Sequence, residues 1–316
     1  MNPAAKSETA LGVRDPARHF GSIPGVIRDL RWLGWIPLIV LPLAALTLRS
    51  ALPAWAFMWL LAAAIFTGCK WQTWWDSSAG RLPGHWKRSF AYLLLWPGMD
   101  AEEFLDTHAE PRRIQPHEWM AASAKTAAGA ALISAGVRES FSSHFLVAGW
   151  LGMLGLVLLL HFGAFQLLAL AWQRAGIHAE PIMQGPLESE SLSELWGKRW
   201  NLGFRKLSHA LVFRPLQKRF GTVIGTLGAF LASGLIHDLV ISIPARAGYG
   251  LPTAYFLLQG FGVLAERSRT GRRLGLGRGL RGRLWAILVA LGPVCCLFHP
   301  WFVTRVMVPF LRAIRL

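Results

Sequence analysis

The sequence predicts an all-α, polytopic membrane protein with about seven to nine transmembrane helices around a central cavity. Of its 316 residues, 53% are hydrophobic and only 16% are charged, whereas charged residues make up about a quarter of a soluble domain. Sixteen tryptophans stand against three tyrosines, and tryptophan concentrates at membrane–water interfaces. Apolar runs long enough to cross a bilayer also recur along the chain.

We interpret residues 1–316 as a single membrane domain. The candidate spans are, in order, Trp32–Leu48, Trp55–Cys69, Ala121–Val137, Phe145–Trp172, Val223–Ile243, Pro252–Leu264 and Leu284–Phe302. The apolar stretch 90–96 is too short to cross and is expected at the interface or as a re-entrant segment. Residues 1–31 form a polar segment without the pattern of a cleavable signal.

Basic residues alternate between rich and poor connections. Residues 1–31, 70–113, 174–219 and 267–283 hold five, six, eight and seven Lys or Arg, respectively. Each of the three other connections holds one, namely Arg49, Arg138 or Arg246. Because cytoplasmic loops carry the excess of Lys and Arg, we expect the N-terminus and the rich connections in the cytoplasm. The net charge of +16 then faces anionic lipid or a polyanionic ligand rather than nucleic acid.

The connection 173–222 is too long to be a passive loop. It contains the capping-box pattern Ser191-x-x-Glu194, followed by apolar residues at helical spacing: Trp196, Trp200, Phe204, Leu207 and Leu211. The pattern predicts an amphipathic interfacial helix near 191–214, ended by Pro215 and anchored in the interface by Trp196 and Trp200.

The fifth candidate span contains adjacent ionisable residues, His237 and Asp238. His237 lies about fifteen residues into this segment, roughly 22 Å from its cytoplasmic end. Ser233 and Gly234 precede the pair by one turn and are expected to leave open space beside the imidazole. Burying such groups costs at least about 2.5–3.5 kcal/mol each. A catalytic role and a purely structural hydrogen-bonding role both remain open from these residues alone.

Other chemistry-bearing residues give weaker signals. His161 lies in an apolar span without an acidic neighbour, which favours a packing role, and His299 has no assigned role. The histidine and cysteine spacings do not fit a metal site, and Cys69, Cys295 and Cys296 are expected to be small buried residues. The stretch 271–283 is a basic Gly/Arg/Leu loop whose glycine spacing lacks the βαβ context of a dinucleotide site.

Several motifs together resemble the wax-synthase branch of the membrane-bound O-acyltransferase (MBOAT) superfamily. They are Leu195-Trp-Gly-Lys-Arg-Trp-Asn201, Phe230-Leu-Ala-Ser-Gly-Leu-Ile-His-Asp238, Tyr255-Phe-Leu-Leu-Gln-Gly-Phe-Gly with Glu266, and Ala91-Tyr-Leu-Leu-Leu-Trp-Pro-Gly-Met-Asp100. The resemblance covers a core at 90–267 and leaves 268–316 as a basic loop and last span. Asp238 stands where this family more often has Glu.

The resemblance implies an acyltransferase that moves a fatty acyl group from acyl-CoA to an alcohol within the membrane. His237 would be the general base and Asn201 the second catalytic residue, supported by Asp238, Ser233 and Trp200. A cytoplasmic basic cluster would gather the coenzyme A phosphates: Lys198, Arg199, Arg205, Lys206 and Arg214. Acyl-CoA is then a co-substrate, no cofactor is permanently bound, and the other partners are a lipophilic alcohol and the bilayer.

The alternative is a multi-pass transporter or lipid-handling protein in which His237 and Asp238 relay protons. Transporters often have duplicated halves, and we find no such symmetry. Arg far exceeds Lys, which suggests a bacterial inner membrane; in a eukaryote the membrane would be the endoplasmic reticulum. The sequence does not set the oligomeric state, the acyl length or the acceptor.

Overall fold

A computed structural model describes residues 31–77, 86–108 and 110–315, which form helices and no strand. The predicted polar segment 1–31 lies outside these residues except for its last position. In chain order the helices are α1 (Trp32–Thr47), α2 (Ala54–Asp76), α3 (Trp86–Leu95), α4 (Ala101–Leu105), α5 (Pro116–Glu139), α6 (Phe145–Arg174), α7 (192–199), α8 (202–220), α9 (222–245), α10 (Leu251–Arg267), α11 (Arg269–Leu274), α12 (Gly279–Leu291) and α13 (300–313). The all-helical class is therefore confirmed for the described residues.

Among the described residues, five segments are long and apolar enough to cross a membrane: Ala54–Asp76, Pro116–Glu139, Phe145–Arg174, Leu202–Ala245 and Gly279–Leu297. They coincide with five of the seven predicted spans. The other two fall on α1, which is a shorter apolar helix, and on α10, which has 17 residues. The described part of the chain thus supports an integral membrane protein with five candidate spans, and it does not confirm seven to nine spans or a central cavity.

The predicted amphipathic helix 191–214 is wrong as a single element. It is interrupted at Trp200 and Asn201, which separate α7 from α8. Pro215 does not end the helix, because a π-helical turn at His209–Phe213 precedes it and the helix continues through the proline. A π turn changes the hydrogen-bond register, so the missing proline N–H is tolerated.

Gly221 separates α8 from α9, at the position where the sequence places the start of the fifth span. Its φ of 85° and ψ of 172° belong to a backbone region that only glycine enters readily. A side-chain carbon on Gly225 would lie 3.1 Å from the carbonyl oxygen of Phe213, and one on Gly228 would lie 2.2 Å from Leu216. The end of α8 is therefore folded back against the start of α9.

Close contacts also join other pairs of helices. Gly129 on α5 and Gly155 on α6 pack closely, since a side-chain carbon on Gly155 would lie 2.8 Å from the Gly129 carbonyl oxygen. Small residues allow such close helix packing in membranes. Glu266 on α10 accepts a hydrogen bond of 2.7 Å from the backbone N–H of Leu192. This contact attaches the start of α7 to α10.

Candidate active site

His237 is the last α-helical residue before a π-helical turn in α9, Asp238–Ser242. Its Nδ1 lies 2.7 Å from the carbonyl oxygen of Ser233, four residues earlier. A carbonyl only accepts, so Nδ1 carries a proton, and in the neutral form of the ring Nε2 is therefore unprotonated. Nε2 has no hydrogen-bond partner among the described residues and is not a buried atom. The half-buried imidazole thus has the tautomer that a general base requires.

Asp238 does not hydrogen-bond to His237 in the structure. Its Oδ1 accepts from the Ser242 hydroxyl and the Gly250 N–H, both at 2.8 Å. Its Oδ2 accepts from the N–H of Thr253 at 3.0 Å and from the Thr253 hydroxyl. Gly250 is the N-cap residue of α10, where backbone N–H groups lack helical partners. Asp238 is therefore positioned to join α9 to the first turn of α10.

The turn before His237 differs from the sequence-based expectation. Gly234 does not open space beside the imidazole, because a side-chain carbon there would lie 2.7 Å from the Cα of Thr253. Gly234 instead permits close packing of α9 against α10. Ser233 contributes its backbone carbonyl to His237.

A series of aromatic rings connects α6 with His237. Phe162 lies 6.3 Å from Trp200, and Trp200 lies 6.3 Å from Trp196, measured between ring centroids. Trp196 lies 5.9 Å from Phe256, whose ring centroid is 4.3 Å from that of His237. Residues from α6, α7 and α10 thus form an apolar wall that extends to the imidazole.

Trp196, which the sequence predicts as an interfacial anchor, is half-buried and packs against other aromatic residues of the protein. Its ring packs against Phe230 at a centroid distance of 6.0 Å, and its Nε1–H donates to Gln259 at 3.4 Å. Gln259 is fully buried and donates in turn to the Val289 carbonyl at 2.8 Å. Sequence reasoning missed this role. The available signal was Phe230, which lies two helical turns before His237 on the same face of α9.

Asn201 has a left-handed backbone with φ of 44°, a conformation that Asn tolerates better than most residues. Its backbone N–H donates to the sulfur of Met183 at 3.3 Å. Its half-buried side chain has no hydrogen-bond partner within the described ranges. Gly203, two residues later, packs against Met99, where a side-chain carbon would lie 3.2 Å from the backbone nitrogen. The start of α8 therefore lies beside Met99.

Two lysines from different helices hold the segment 96–100. Lys70 on α2 is 1% exposed and donates to the Gly98 carbonyl at 2.7 Å. Lys206 on α8 donates to the carboxylate of Asp100 at 2.8 Å. A buried ammonium must satisfy its donors within the protein. These contacts hold the motif Trp-Pro-Gly-Met-Asp against α8.

The predicted phosphate-binding cluster divides into two groups. Arg199 is bound by Glu188 at 2.8 Å and Glu194 at 2.7 Å. Lys206 is bound by Asp100, Glu103 and Glu180, at 2.8, 2.9 and 3.6 Å. Both cations therefore have structural partners.

The other members, Lys198, Arg205 and Arg214, are exposed and form no salt bridge with a residue that the structure describes. They remain available to an anion. The structure thus reduces the predicted cluster of five basic residues to three uncommitted ones.

The salt bridges of Arg199 with Glu188 and Glu194 stabilise the start of α7. The Ser191 hydroxyl accepts from the Glu194 N–H at 2.9 Å, as the capping pattern predicts. The Glu194 carboxylate accepts from the Glu190 N–H at 2.8 Å, one residue earlier than in a standard capping box. This backbone hydrogen bond, followed by that from Arg199, holds the pKa of Glu194 below its ordinary value. The hydrogen bond to Glu194 is also the main cause that raises the Arg199 pKa.

The remaining histidines inside the fold have separate surroundings. His161 lies in a π-helical stretch of α6, 5.6 Å from the ring of Phe165, and its buried Nδ1 lacks a partner among the described residues. His299 is fully buried, accepts from the Phe302 N–H at 3.1 Å, and lies 3.5 Å from the Ser242 hydroxyl. In the ranges that the structure covers, no group of three His, Cys, Asp or Glu side chains could hold a metal.

Comparison with known proteins identifies the part of the chain that contains this site. Residues 179–258 match the membrane bound O-acyl transferase family, and this range includes both Asn201 and His237. Over 103 residues the chain is 31% identical to the Arabidopsis thaliana protein named probable long-chain-alcohol O-fatty-acyltransferase 7, with 29% of this chain and 30% of that protein covered. It is 26% identical over 98 residues to the acyl-CoA–sterol O-acyltransferase 1 of the same plant, with 28% of each covered.

Probable long-chain-alcohol O-fatty-acyltransferase 3 of Arabidopsis thaliana is 30% identical over 107 residues, with 31% of each chain covered. The matched part therefore spans less than a third of the length of these curated relatives. The family match at 179–258 includes α7, α8, α9 and the start of α10. This part of the chain is therefore similar to the membrane bound O-acyl transferase family, and the chain is similar over about a third of its length to proteins named probable long-chain-alcohol O-fatty-acyltransferases.

Proposed function

We propose that this protein is an acyl-CoA-dependent O-acyltransferase that esterifies a lipophilic alcohol within the membrane, with His237 as general base. The observation that carries the proposal is the state of the imidazole. Its Nδ1–H is held by the Ser233 carbonyl, while Nε2 has no partner among the described residues. Neutral, oriented imidazole is the form that accepts a proton from a hydroxyl.

The proposed reaction is a direct transfer without an acyl-enzyme intermediate. His237 Nε2 takes the proton of the acceptor hydroxyl as the alcohol oxygen attacks the thioester carbonyl carbon. The carbon–sulfur bond then breaks, and the proton on Nε2 passes to the leaving sulfur to give free coenzyme A. Donors near the carbonyl oxygen would stabilise its developing negative charge. The unpaired amide of Asn201 is our candidate for such a donor.

The surroundings of the two residues suit the proposed substrates. The aromatic wall formed by Trp196, Trp200 and Phe256 offers apolar surface to an acyl chain or a long-chain alcohol. The uncommitted cations Lys198, Arg205 and Arg214 are our candidates for contacting the coenzyme A phosphates. A long-chain alcohol, giving a wax ester, is the first acceptor to test, and a sterol is the second.

The bonds of Asp238 argue against the transporter alternative. A His237–Asp238 relay would need a proton to pass between the two side chains. Both oxygens of Asp238 instead accept from Ser242, Gly250 and Thr253. Acyl transfer is therefore the better-supported function.

The test uses membranes from a host that lacks neutral-lipid synthesis. Radiolabelled acyl-CoA is supplied with hexadecanol or a sterol, and ester and free thiol are both quantified. We expect His237→Gln to reduce the rate by about 10²–10⁴-fold, the usual contribution of a general base. The wild-type rate should fall as the pH is lowered and the imidazole becomes protonated. Proton-coupled uptake without ester formation would contradict the proposal.

His209→Gln is the matched control, because His209 is an exposed histidine on α8 within the same family segment. We expect it to retain the wild-type rate. Equal activity of His237→Gln and His209→Gln, at equal amounts of folded protein, would remove the base assignment.

Asn201 requires two variants because its backbone also has a special conformation. Asn201→Gly keeps the left-handed backbone and removes the amide, whereas Asn201→Ala adds backbone strain. We expect Asn201→Gly to fold normally and to lose about 10²–10³-fold in rate, the usual effect of removing an oxyanion donor. A fully active Asn201→Gly would restrict Asn201 to a backbone role.

A further inference from the structure

Three arginines converge on a cleft formed by the turn between α1 and α2, the end of α9, and α13. The cleft has a volume of about 240 Å³ and is lined by Arg49, Arg246 and Arg305 together with apolar side chains that include Leu52 and Phe57. A second opening shares Arg49 and Arg246 and adds Thr47 and Ser50. We call this region the arginine cleft. It contains none of the residues of the candidate active site.

The arginine side chains are only partly satisfied by the protein. The Nη1 group of Arg305 donates to the carbonyl oxygens of Ala245, at 3.1 Å, and of Arg246, at 3.4 Å, at the end of α9. Arg49 makes a long contact of 3.5 Å from Nη2 to the Tyr249 hydroxyl. Its Nε is buried and has no partner in the described part of the chain. Arg49 Nε therefore lacks an acceptor within the described protein, and leaving a buried donor in this state raises the free energy of the folded protein.

The charge of the cleft is also uncompensated. Arg49, Arg246 and Arg305 form no salt bridge with any described carboxylate. Asp238, the acidic residue of the π turn near the end of α9, is occupied by Ser242, Gly250 and Thr253. Three like charges around one cleft repel each other unless an anion lies between them.

We propose that the arginine cleft binds a phosphate oxyanion, supplied by the headgroup of an anionic phospholipid or by free phosphate. The guanidinium group matches phosphate geometry, since its planar fork donates two parallel hydrogen bonds. Apolar side chains in the last turns of α1 and just after it are exposed, including Leu43 at 57% and Leu48 at 45%, and would contact the chains of a lipid. Thus a lipid has a surface for both its headgroup and its tails.

The site is separate from the one proposed for catalysis. Arg246 follows His237 by nine residues, which corresponds to about 13 Å along α9. Arg49 and Arg246 are also two of the three single basic residues in the connections predicted to face away from the cytoplasm. The arginine cleft is therefore expected at the membrane face opposite the uncommitted basic residues proposed for coenzyme A.

The test measures binding to the purified full chain in an uncharged detergent and phosphate-free buffer. Microscale thermophoresis is carried out with inorganic phosphate, with dioctanoyl phosphatidylglycerol, and with dioctanoylglycerol, which has the same tails without phosphate. Saturable binding of either phosphate compound, but not of dioctanoylglycerol, supports the proposal. Binding of phosphatidylglycerol alone identifies a lipid site, and comparable binding of inorganic phosphate identifies a general phosphate site.

Two variants test the residues. We expect Arg49→Gln and Arg246→Asn each to raise the Kd by about tenfold or more, since each removes charge-assisted hydrogen bonds. Asn is used at position 246 because Arg246 has a left-handed φ of 51°. Arg138→Gln is the matched control, an exposed arginine on the same predicted side, and should leave the Kd unchanged.

If Arg49→Gln fails to fold, Arg246→Asn still tests the proposal, because Arg246 is exposed. Absence of saturable binding of both inorganic phosphate and dioctanoyl phosphatidylglycerol would overturn the proposal, as would equal Kd values for wild type and Arg246→Asn. Equal binding of dioctanoylglycerol would also overturn it, because the phosphate would then contribute nothing.

Discussion

Replacement of Asp238 by Asn tests whether this residue supports the helix packing or the chemistry. Asn retains one carbonyl oxygen for Ser242 and Gly250 but presents an NH₂ group toward Thr253. The 3.0 Å bond from the Thr253 N–H is then lost, and the Thr253 hydroxyl no longer donates to this side chain. Hydrogen bonds to a charged group contribute about 1.5–3 kcal/mol each and are not additive, so we expect a loss of about 2–4 kcal/mol.

The assay is thermal unfolding of the detergent-purified protein, followed by fluorescence-detected size exclusion at a fixed heating protocol. Because unfolding in detergent is irreversible, the measured quantity is an apparent Tm. At roughly 2 °C per kcal/mol for a chain of this size, Asp238→Asn should lower it by about 4–8 °C. Ester formation well below the apparent Tm should remain within about threefold of wild type, since Asp238 does not hydrogen-bond to His237.

Ser233→Ala is the control on the same helix, because it removes a hydroxyl but keeps the carbonyl that holds His237. It should leave the apparent Tm and the rate unchanged. The reasoning is refuted if Asp238→Asn keeps the wild-type Tm while its rate falls as far as that of His237→Gln. That result would mean that the carboxylate acts through the imidazole after all.

Three further predictions concern the elements that hold the site. Gly221→Ala should destabilise the protein by about 1–3 kcal/mol, because φ of 85° and ψ of 172° strain any residue with a side chain; its apparent Tm measures this. Gly234→Val should separate α9 from α10, since even the first side-chain carbon would lie 2.7 Å from the Thr253 Cα; an unchanged Tm and rate would contradict the packing. The lowered pKa of Glu194 predicts a stabilising contribution that is present above about pH 4.5 and is lost as the pH falls through the lowered folded-state value. The Tm difference between wild type and Glu194→Gln should therefore shrink below that pH. A difference that grows there would contradict a stabilising role for the ionised Glu194 and its salt bridge to Arg199.

Local patterns were sufficient for much of the fold. Apolar runs predicted the helical membrane class and seven spans, five of which coincide with candidate spans among the described residues, because long apolar segments are stable in hydrocarbon only with their backbone hydrogen bonds satisfied internally. The pattern Ser191-x-x-Glu194 predicted the cap at the start of α7, which depends on residues three positions apart. The break at Asn201 was missed because helical periodicity continues through Trp200 to Phe204. The left-handed backbone there depends partly on a contact with Met183, eighteen residues away.

The candidate active site could likewise be predicted only in part from the sequence. The rarity of ionisable residues in apolar spans is enough to select His237 and Asp238 as candidates. Their different environments could not be deduced in this way, because two partners of Asp238, Gly250 and Thr253, lie twelve and fifteen residues later, at the start of another helix. The basic cluster was visible as charge, but the carboxylates that bind Lys206 are as distant in sequence as Asp100 and Glu103.

The sequence by itself determined that the protein is a helical membrane protein, which stretches enter the apolar phase, and which histidine to consider first. These properties follow from local composition, spacing and the cost of burying charge. Only the tertiary structure decided that Asp238 joins α9 to α10, that Trp196 lies in the wall beside His237, and that three arginines share a cleft. Such contacts join residues far apart in the chain, and a hydrogen bond or ring contact depends on the distances that folding creates between them.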